Sequence, residues 1–268
     1  MIIDTHAHLM FKQFDGEVPE VLKRAGEAGV GKIINVGCSV ESSAQACEMV
    51  STGAEVSGGT PAASAGVELF ASLGLHPYDV LDLSDDLLDK WEKLINGPSG
   101  KKIVAVGEIG LDYFKSKVPK EDQKIGFRRQ LQFAEKVGLP VIVHNREADE
   151  DTFGILREYP KVRAVFHCYG SSLEFARKIW DYGYYTSFTG VVTYPGASVL
   201  REVVAEAPDW TIMVETDCPF LAPQVHRGLT NEPAFVLDVV REIAKVRGVG
   251  FKEIEKTQER SVKEFYGI

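Results

Sequence analysis

The sequence predicts an α/β fold, a (β/α)8 TIM barrel with one additional C-terminal helix. A unit made of a short apolar run, a turn and a helix-periodic segment occurs eight times along the 268 residues. Nearly every residue of the runs is apolar, as in parallel strands that helices cover on both faces. Eight such units in about 250 residues match the size of a closed barrel.

The units can be assigned in chain order from composition. Each strand candidate carries Val, Ile, Leu or aromatic residues and is followed by a turn; the eight cover 2–6, 32–36, 69–74, 103–108, 140–144, 164–167, 184–188 and 212–215. Apolar residues at helical spacing then predict helices at 17–29, 40–50, 84–96, 121–138, 147–158, 172–182, 196–206 and 232–247. An amphipathic stretch at 251–265 predicts the additional helix.

A doubly wound open sheet is the alternative architecture, because periodicity alone does not show that a sheet closes. The first strand candidate is not followed by a dinucleotide-binding GxGxxG pattern, which disfavours that alternative. No segment rich in Pro or Gly divides the chain, so residues 1–268 are expected to form one domain. The stretch 51–66, which contains Gly-Gly-Thr-Pro, is expected to be a surface loop.

Charge and composition exclude several classes of protein. The 30 Lys and Arg against 39 Asp and Glu give a net charge of −9, which argues against a wide basic surface for duplex DNA or anionic membranes. No secretory signal and no membrane-length apolar run is visible. The four cysteines form no CxxC pair, so reduced thiols in a cytoplasmic protein are expected.

The candidate chemistry lies at the strand ends. His6 and His8 are two residues apart at the end of the first strand, and strand geometry points both imidazoles to one face. Other histidines and acids also lie at the carboxyl ends of predicted strands. Glu108, His144 and His167 end the fourth, fifth and sixth strands, and Asp217 follows the eighth. Barrel enzymes place their active sites at this face, so the joint pattern predicts a metal site.

Four imidazoles and two carboxylates exceed the three protein ligands of a usual catalytic zinc, which predicts two divalent ions. Glu108 would bridge them. His6, His8 and Asp217 would complete one site, and His144 with His167 the other. The donors suit Zn²⁺, Mn²⁺ or Co²⁺, with Mg²⁺ less favoured.

The expected reaction is hydrolysis by a metal-bound hydroxide, with Glu108 and Asp217 as the catalytic carboxylates and Asp217 as the proton acceptor. Two metals favour attack on a phosphoester, although an acyl or amide carbon remains open. A catalytically silent binding barrel is a third possibility, which the presence of all six candidate ligands disfavours.

Several motifs in order along the chain resemble the TatD-type metal-dependent deoxyribonucleases of the amidohydrolase-like barrels. They are Asp4-Thr5-His6-Ala7-His8, Gly74-Leu75-His76-Pro77, Gly107-Glu108-Ile109-Gly110-Leu111-Asp112-Tyr113, Leu139-Pro140-Val141-Ile142-Val143-His144, His167-Cys168-Tyr169, Glu215-Thr216-Asp217-Cys218-Pro219 and Asn231-Glu232-Pro233. The resemblance implies a 3′–5′ exonuclease or related DNase, with the six residues above as metal ligands.

The resemblance also adds substrate or outer-shell candidates, namely His76, Asp112, Arg146 and Arg227. The expected substrate is a DNA end or a single strand, with no membrane and no obligate protein partner. The alternative substrate is a carboxyl ester or amide, such as an aminoacyl-tRNA ester. Four aromatic residues near the strand ends are candidates for base stacking: Tyr113, Phe114, Tyr169 and Phe220.

Overall fold

Eight parallel strands form a closed ring in the computed structural model, which describes residues 1–51 and 66–268. Each strand is hydrogen-bonded to the next in chain order. The strands are β1 Ile2–Ala7, β2 Val30–Val36, β3 Glu68–Leu73, β4 Ile103–Asp112, β5 Val141–Arg146, β6 Ala164–Phe166, β7 Tyr185–Phe188 and β8 Ile212–Val214. The predicted (β/α)8 fold is therefore confirmed.

Helices follow the strands and cover the outside of the ring. They are α1 Val18–Ala28, α2 Val40–Ser51, α3 Asp85–Ile95, α4 Lys120–Val137, α5 Asp149–Leu156, α6 Leu173–Asp181, α7 Ser198–Glu206, α8 Val236–Arg247 and α9 Phe251–Tyr266. Ser84 and Ser172 cap the amino termini of α3 and α6 by accepting backbone N–H groups with their hydroxyls. None of the helices within 1–51 and 66–268 is long and apolar enough to cross a membrane.

The ring closes between β1 and the segment after β8. The backbone N–H of Asp217 donates to His6 O at 2.8 Å, and that of His8 donates to Cys218 O at 2.9 Å. These contacts, here called the closing seam, lie at the carboxyl ends of the strands. They bring the first and the last candidate ligands of the chain into register.

The additional helix α9 covers the opposite end of the barrel. Inward-facing side chains of the strands form an interior cluster with Val262, Phe265 and Tyr266 of this helix. Gln258 Nε2 donates to Met1 O at 2.7 Å, which places α9 at the amino ends of the strands. The amino-terminal end is thus filled by apolar packing, and the carboxyl-terminal end remains for chemistry.

β4 and β5 continue past the candidate ligands that were predicted to end them. β4 continues four residues past Glu108 to Asp112, and β5 continues past His144 to Arg146. The extension is possible because Gly110 lets β4 approach β5 closely. A Cβ on Gly110 would lie 2.0 Å from His144 O, and its φ of +144° suits only glycine.

Other boundaries differ by a few residues. β6 ends at Phe166, one residue before His167, and α8 starts at Val236 because Pro233–Phe235 forms a 3₁₀ turn first. Of the expected loop at 51–66, Ser51 ends α2, and residues 52–65 lie outside the described part of the chain.

Removing the Phe265 ring should destabilise the barrel strongly. The ring is fully buried against Tyr185 and Tyr266, so Phe265→Ala should cost about 3–5 kcal/mol of unfolding free energy. Denaturant titration measures this cost. Leu81 is 66% exposed, so Leu81→Ala is the control and should change stability by less than about 0.5 kcal/mol. Equal effects of the two substitutions would contradict this role for α9.

Candidate metal centre

The six side chains predicted as metal ligands lie together at the carboxyl ends of the strands. All are largely buried: His6 is fully buried, and the most exposed, His144, has an 18% exposed side chain. They come from β1, β4 and β5 and from the segments that directly follow β1, β6 and β8. Residues 211 positions apart in sequence therefore meet because the ring closes at the seam.

Glu108 divides these side chains into two halves. Its Oε2 lies 3.5 Å from His6 Nε2 and 3.9 Å from His8 Nε2. Its Oε1 lies 2.8 Å from His144 Nδ1 and 2.9 Å from His167 Nε2. One carboxylate thus presents a different oxygen to each pair of imidazoles, which is the arrangement of a bridging ligand.

Asp217 belongs to the first half only. Its Oδ1 lies 3.4 Å from His8 Nε2 and 3.7 Å from His6 Nε2. Asp217 takes a φ of +56°, a conformation that costs energy outside glycine and is held here by its N–H bond to His6 O. The closing seam therefore also orients this ligand.

The donor set fits divalent cations. His6 Nε2 and His8 Nε2 lie only 3.1 Å apart in a buried setting. His8 Nδ1 lies 2.7 Å from Val36 O, and since a carbonyl only accepts, this nitrogen carries the proton and leaves the Nε2 lone pair free. Imidazole nitrogens and carboxylate oxygens at such distances match the ligand types of Zn²⁺, Mn²⁺ and Co²⁺.

The buried charges compensate one another. Burial opposes ionisation of Glu108, but the imidazoles of His167, His76 and His144 hold its pKa well below the usual range. Burial likewise opposes the charge of His167, whereas Glu108 and Glu215 raise its pKa well above the usual value. The carboxylate of Glu108 and the imidazole of His167 are thus both available to bind a cation in place of protons.

The outer-shell candidates implied by the resemblance lie beside His144. Asp112 Oδ2 is 3.3 Å from His144 Nε2 and accepts the Tyr78 hydroxyl at 2.9 Å. His76 Nε2 lies 3.6 Å from Glu108 Oε1, and its Nδ1 accepts the backbone N–H of Tyr78 at 3.2 Å. His76 is therefore protonated at Nε2. Burial lowers its pKa to about 3, so it is neutral at physiological pH.

The two candidate arginines form no ion pair with a carboxylate within the described ranges 1–51 and 66–268. The backbone of Arg146 is in register with that of Asp112 in the β4–β5 ladder, and its guanidinium lies over the Phe114 ring at 4.3 Å. Arg227 lies over the Tyr194 ring at 4.6 Å and donates to its hydroxyl at 2.7 Å. Both guanidinium groups are exposed and not neutralised by an acidic partner.

Two buried acids were missed by sequence reasoning. Asp4 accepts the N–H and hydroxyl of Thr216 at 2.9 and 2.6 Å, which fixes the segment leading to Asp217. Glu215 is 1% exposed and accepts the N–H of Cys168 at 2.7 Å. A signal was present, because an acid within an otherwise apolar buried strand is rare unless it is paired.

Comparison with known proteins agrees with this geometry. The family model for "TatD related DNase" matches residues 3–267. This chain belongs to the TatD family. It is 37% identical over 270 residues to the Bacillus subtilis protein named "Uncharacterized metal-dependent hydrolase YabD", with all of both chains covered.

Two further TatD relatives extend the comparison. The Mycobacterium tuberculosis protein "Uncharacterized metal-dependent hydrolase TatD" is 30% identical, with 100% of this chain and 98% of the relative covered. The crystal structure of the Escherichia coli TatD homologue YjjV superimposes with a TM-score of 0.88 at 30% identity, covering 100% and 98% of the chains. The chain is therefore a metal-dependent hydrolase.

Gly110→Ala should damage the metal centre through the backbone. The new Cβ would clash with His144 O and adopt an unfavourable φ, so we expect a loss of at least about 1–3 kcal/mol in stability and less bound metal. Thermal unfolding and elemental analysis measure both effects. Gly154→Ala is the control. Gly154 lies in α5, and its new Cβ would have no atom of the described residues within 4 Å, so the substitution should be neutral or stabilising. Full metal content in Gly110→Ala would argue against this close packing.

Proposed function

We propose that this TatD-family hydrolase is a deoxyribonuclease. It would remove nucleotides from 3′ ends, either at the ends of DNA duplexes or in single-stranded DNA. The observation that supports it most is Glu108, whose two oxygens face two separate pairs of imidazoles at 2.8–3.9 Å. A shared carboxylate of this kind favours two divalent ions close together. Such pairs clamp the attacking and leaving oxygens of an in-line displacement at phosphorus.

When bound, the ions would supply an activated water and Lewis-acid stabilisation of the phosphate charge. Asp217 is the proton acceptor in this proposal. Its side chain is 14% exposed against 6% for Glu108, so it is the more accessible of the two carboxylates. Its pKa is lowered by His8 and the other imidazoles despite burial, which keeps it ionised and ready to take a proton.

The residues around the centre suit a phosphate group. His76 keeps its proton on Nε2, on the side of Glu108, and can donate a hydrogen bond from this N–H to a phosphate oxygen while remaining neutral. Arg146 and Arg227 can each bind a phosphate through two N–H groups, because no acidic partner occupies them in the described residues. The net charge of −9 restricts such contacts to this local area.

Two of the four candidate aromatics remain available for nucleobases. Phe114 and Phe220 are 54% and 45% exposed. Tyr169 is buried and donates its hydroxyl to Ser172 O, and the Tyr113 hydroxyl donates to Asp151. These two rings are therefore held in the packing of the protein and are not offered to nucleobases. Phe220 lies 6.4 Å from the His8 ring and Phe114 lies under the Arg146 guanidinium, and exposed rings of this kind favour unstacked bases over an intact duplex.

The test is cleavage of a single-stranded oligonucleotide labelled at its 5′ end, with each metal added in turn. We expect stepwise shortening from the 3′ end, and at least about a 100-fold lower kcat for Glu108→Ala and Asp217→Asn. Glu158→Gln is the control, since Glu158 pairs with Arg128 on the surface and should leave activity unchanged.

The outcome separates the proposed substrate classes. Absence of cleavage by the metal-loaded wild type would refute the nuclease proposal. Metal-dependent hydrolysis of carboxyl or aminoacyl-tRNA esters, without DNA cleavage, would instead assign the same centre to attack on carbon.

Arg146→Ala and Arg227→Ala should weaken substrate binding more than turnover. Each removes an unpaired guanidinium, so we expect KM for the oligonucleotide to rise about 10-fold and its salt dependence to fall, with kcat changed less. Steady-state kinetics at several salt concentrations measures this. Arg177→Ala is the matched control because Arg177 is already paired with Glu206. Unchanged KM in both test variants would exclude phosphate binding by these arginines.

A further inference from the structure

A single buried carboxylate, that of Glu215, lies next to histidines from both halves of the metal centre. Its Oε1 is 3.3 Å from His167 Nδ1 and accepts the N–H of Cys168. One nitrogen of His6, one nitrogen of His167 and an oxygen of Glu215 lie within 4.8 Å of one another. Glu215 is 1% exposed, so no solvent competes for these contacts.

In both His6 and His167, one ring nitrogen faces Glu108 and the other, Nδ1, faces away from it. Each ring directs Nε2 toward Glu108, at 3.5 and 2.9 Å, but toward different oxygens of that carboxylate. Among residues 1–51 and 66–268, the Nδ1 atom of each ring is buried and meets no hydrogen-bond criterion, although Glu215 Oε1 lies 3.3 Å from His167 Nδ1. The rings stack with centroids 4.1 Å apart and an 18° angle between them, so they are held as a pair.

The chemistry of imidazole links these observations. A histidine that gives its Nε2 lone pair to a metal must carry its proton on Nδ1. A carboxylate beside Nδ1 favours that tautomer and fixes the orientation of the ring. His8 obtains the same control from Val36 O, but in the described part of the chain no backbone carbonyl is hydrogen-bonded to Nδ1 of His6 or His167.

We propose that Glu215 is a positioning residue that selects the Nδ1–H tautomer of both His6 and His167. One carboxylate thereby prepares one histidine in each half of the centre. Accepting the Cys168 N–H and the Thr5 hydroxyl would require only a neutral acceptor, whereas an ionised acid buried at this depth is stabilised further by a proton on a neighbouring imidazole.

The experiment compares zinc binding in the metal-free wild type, Glu215→Gln and the surface control Glu158→Gln. Glutamine preserves the shape and the acceptor for Cys168, but its charge is lost. We expect both zinc-binding steps to weaken about 10–100-fold in Glu215→Gln and to remain unchanged in Glu158→Gln, measured by competition with a chelator. Wild-type affinity in Glu215→Gln, or weakening of one step alone, would overturn the proposal.

A second measurement does not depend on folding of the variant. Long-range proton–nitrogen correlation spectra of the zinc-loaded wild type, labelled with ¹⁵N-histidine, should show Nδ1–H and metal-bound Nε2 for both His6 and His167. Metal bound at Nδ1 of either ring would overturn the proposal. The inference uses the proposed two-ion centre; a single zinc-binding step in the wild type would contradict that centre, and the nitrogen assignments would still decide the role of Glu215.

Discussion

The placement of Glu108 among four imidazoles is the constraint on which the rest of the site depends. Its carboxylate is almost completely buried, and it remains ionised only because histidines approach each of its oxygens. Each of those histidines must therefore be held at a defined depth and angle. The barrel meets this requirement by supplying the ligands from separate strand ends, so that no single loop controls the geometry.

The backbone around the centre is correspondingly unusual. Cys168 and Asp217, which follow β6 and β8, take positive φ angles of 43° and 56°. Such conformations persist where surrounding contacts over-determine them. Here Glu215 accepts the N–H of Cys168, and His6 O accepts that of Asp217. Buried acids and the closing seam thus stabilise the backbone that presents the ligands.

Much of this site could be predicted from the sequence because side chains at the ends of parallel strands must share one face. That rule placed His6, His8 and Asp217 together without knowledge of any distance. The predicted strand end at Glu108 was wrong, because β4 continues to Asp112 and Gly110 allows it to approach β5 closely. Glu215 was missed because period and spacing reveal which residues can meet, but not which buried acid supports a neighbouring ring.

The closing seam has a consequence for the whole chain. His6 lies in the first strand, His8 directly follows it and Asp217 follows the last strand, so a cation held by these three residues would join the two ends of the barrel sequence. Such a link restricts an unfolded chain by closing a loop of more than two hundred residues, and the entropy cost of closing a loop grows with its length. Metal binding and ring closure would then be one cooperative event. The ion would stabilise the closed barrel as a cross-link in addition to its role in catalysis.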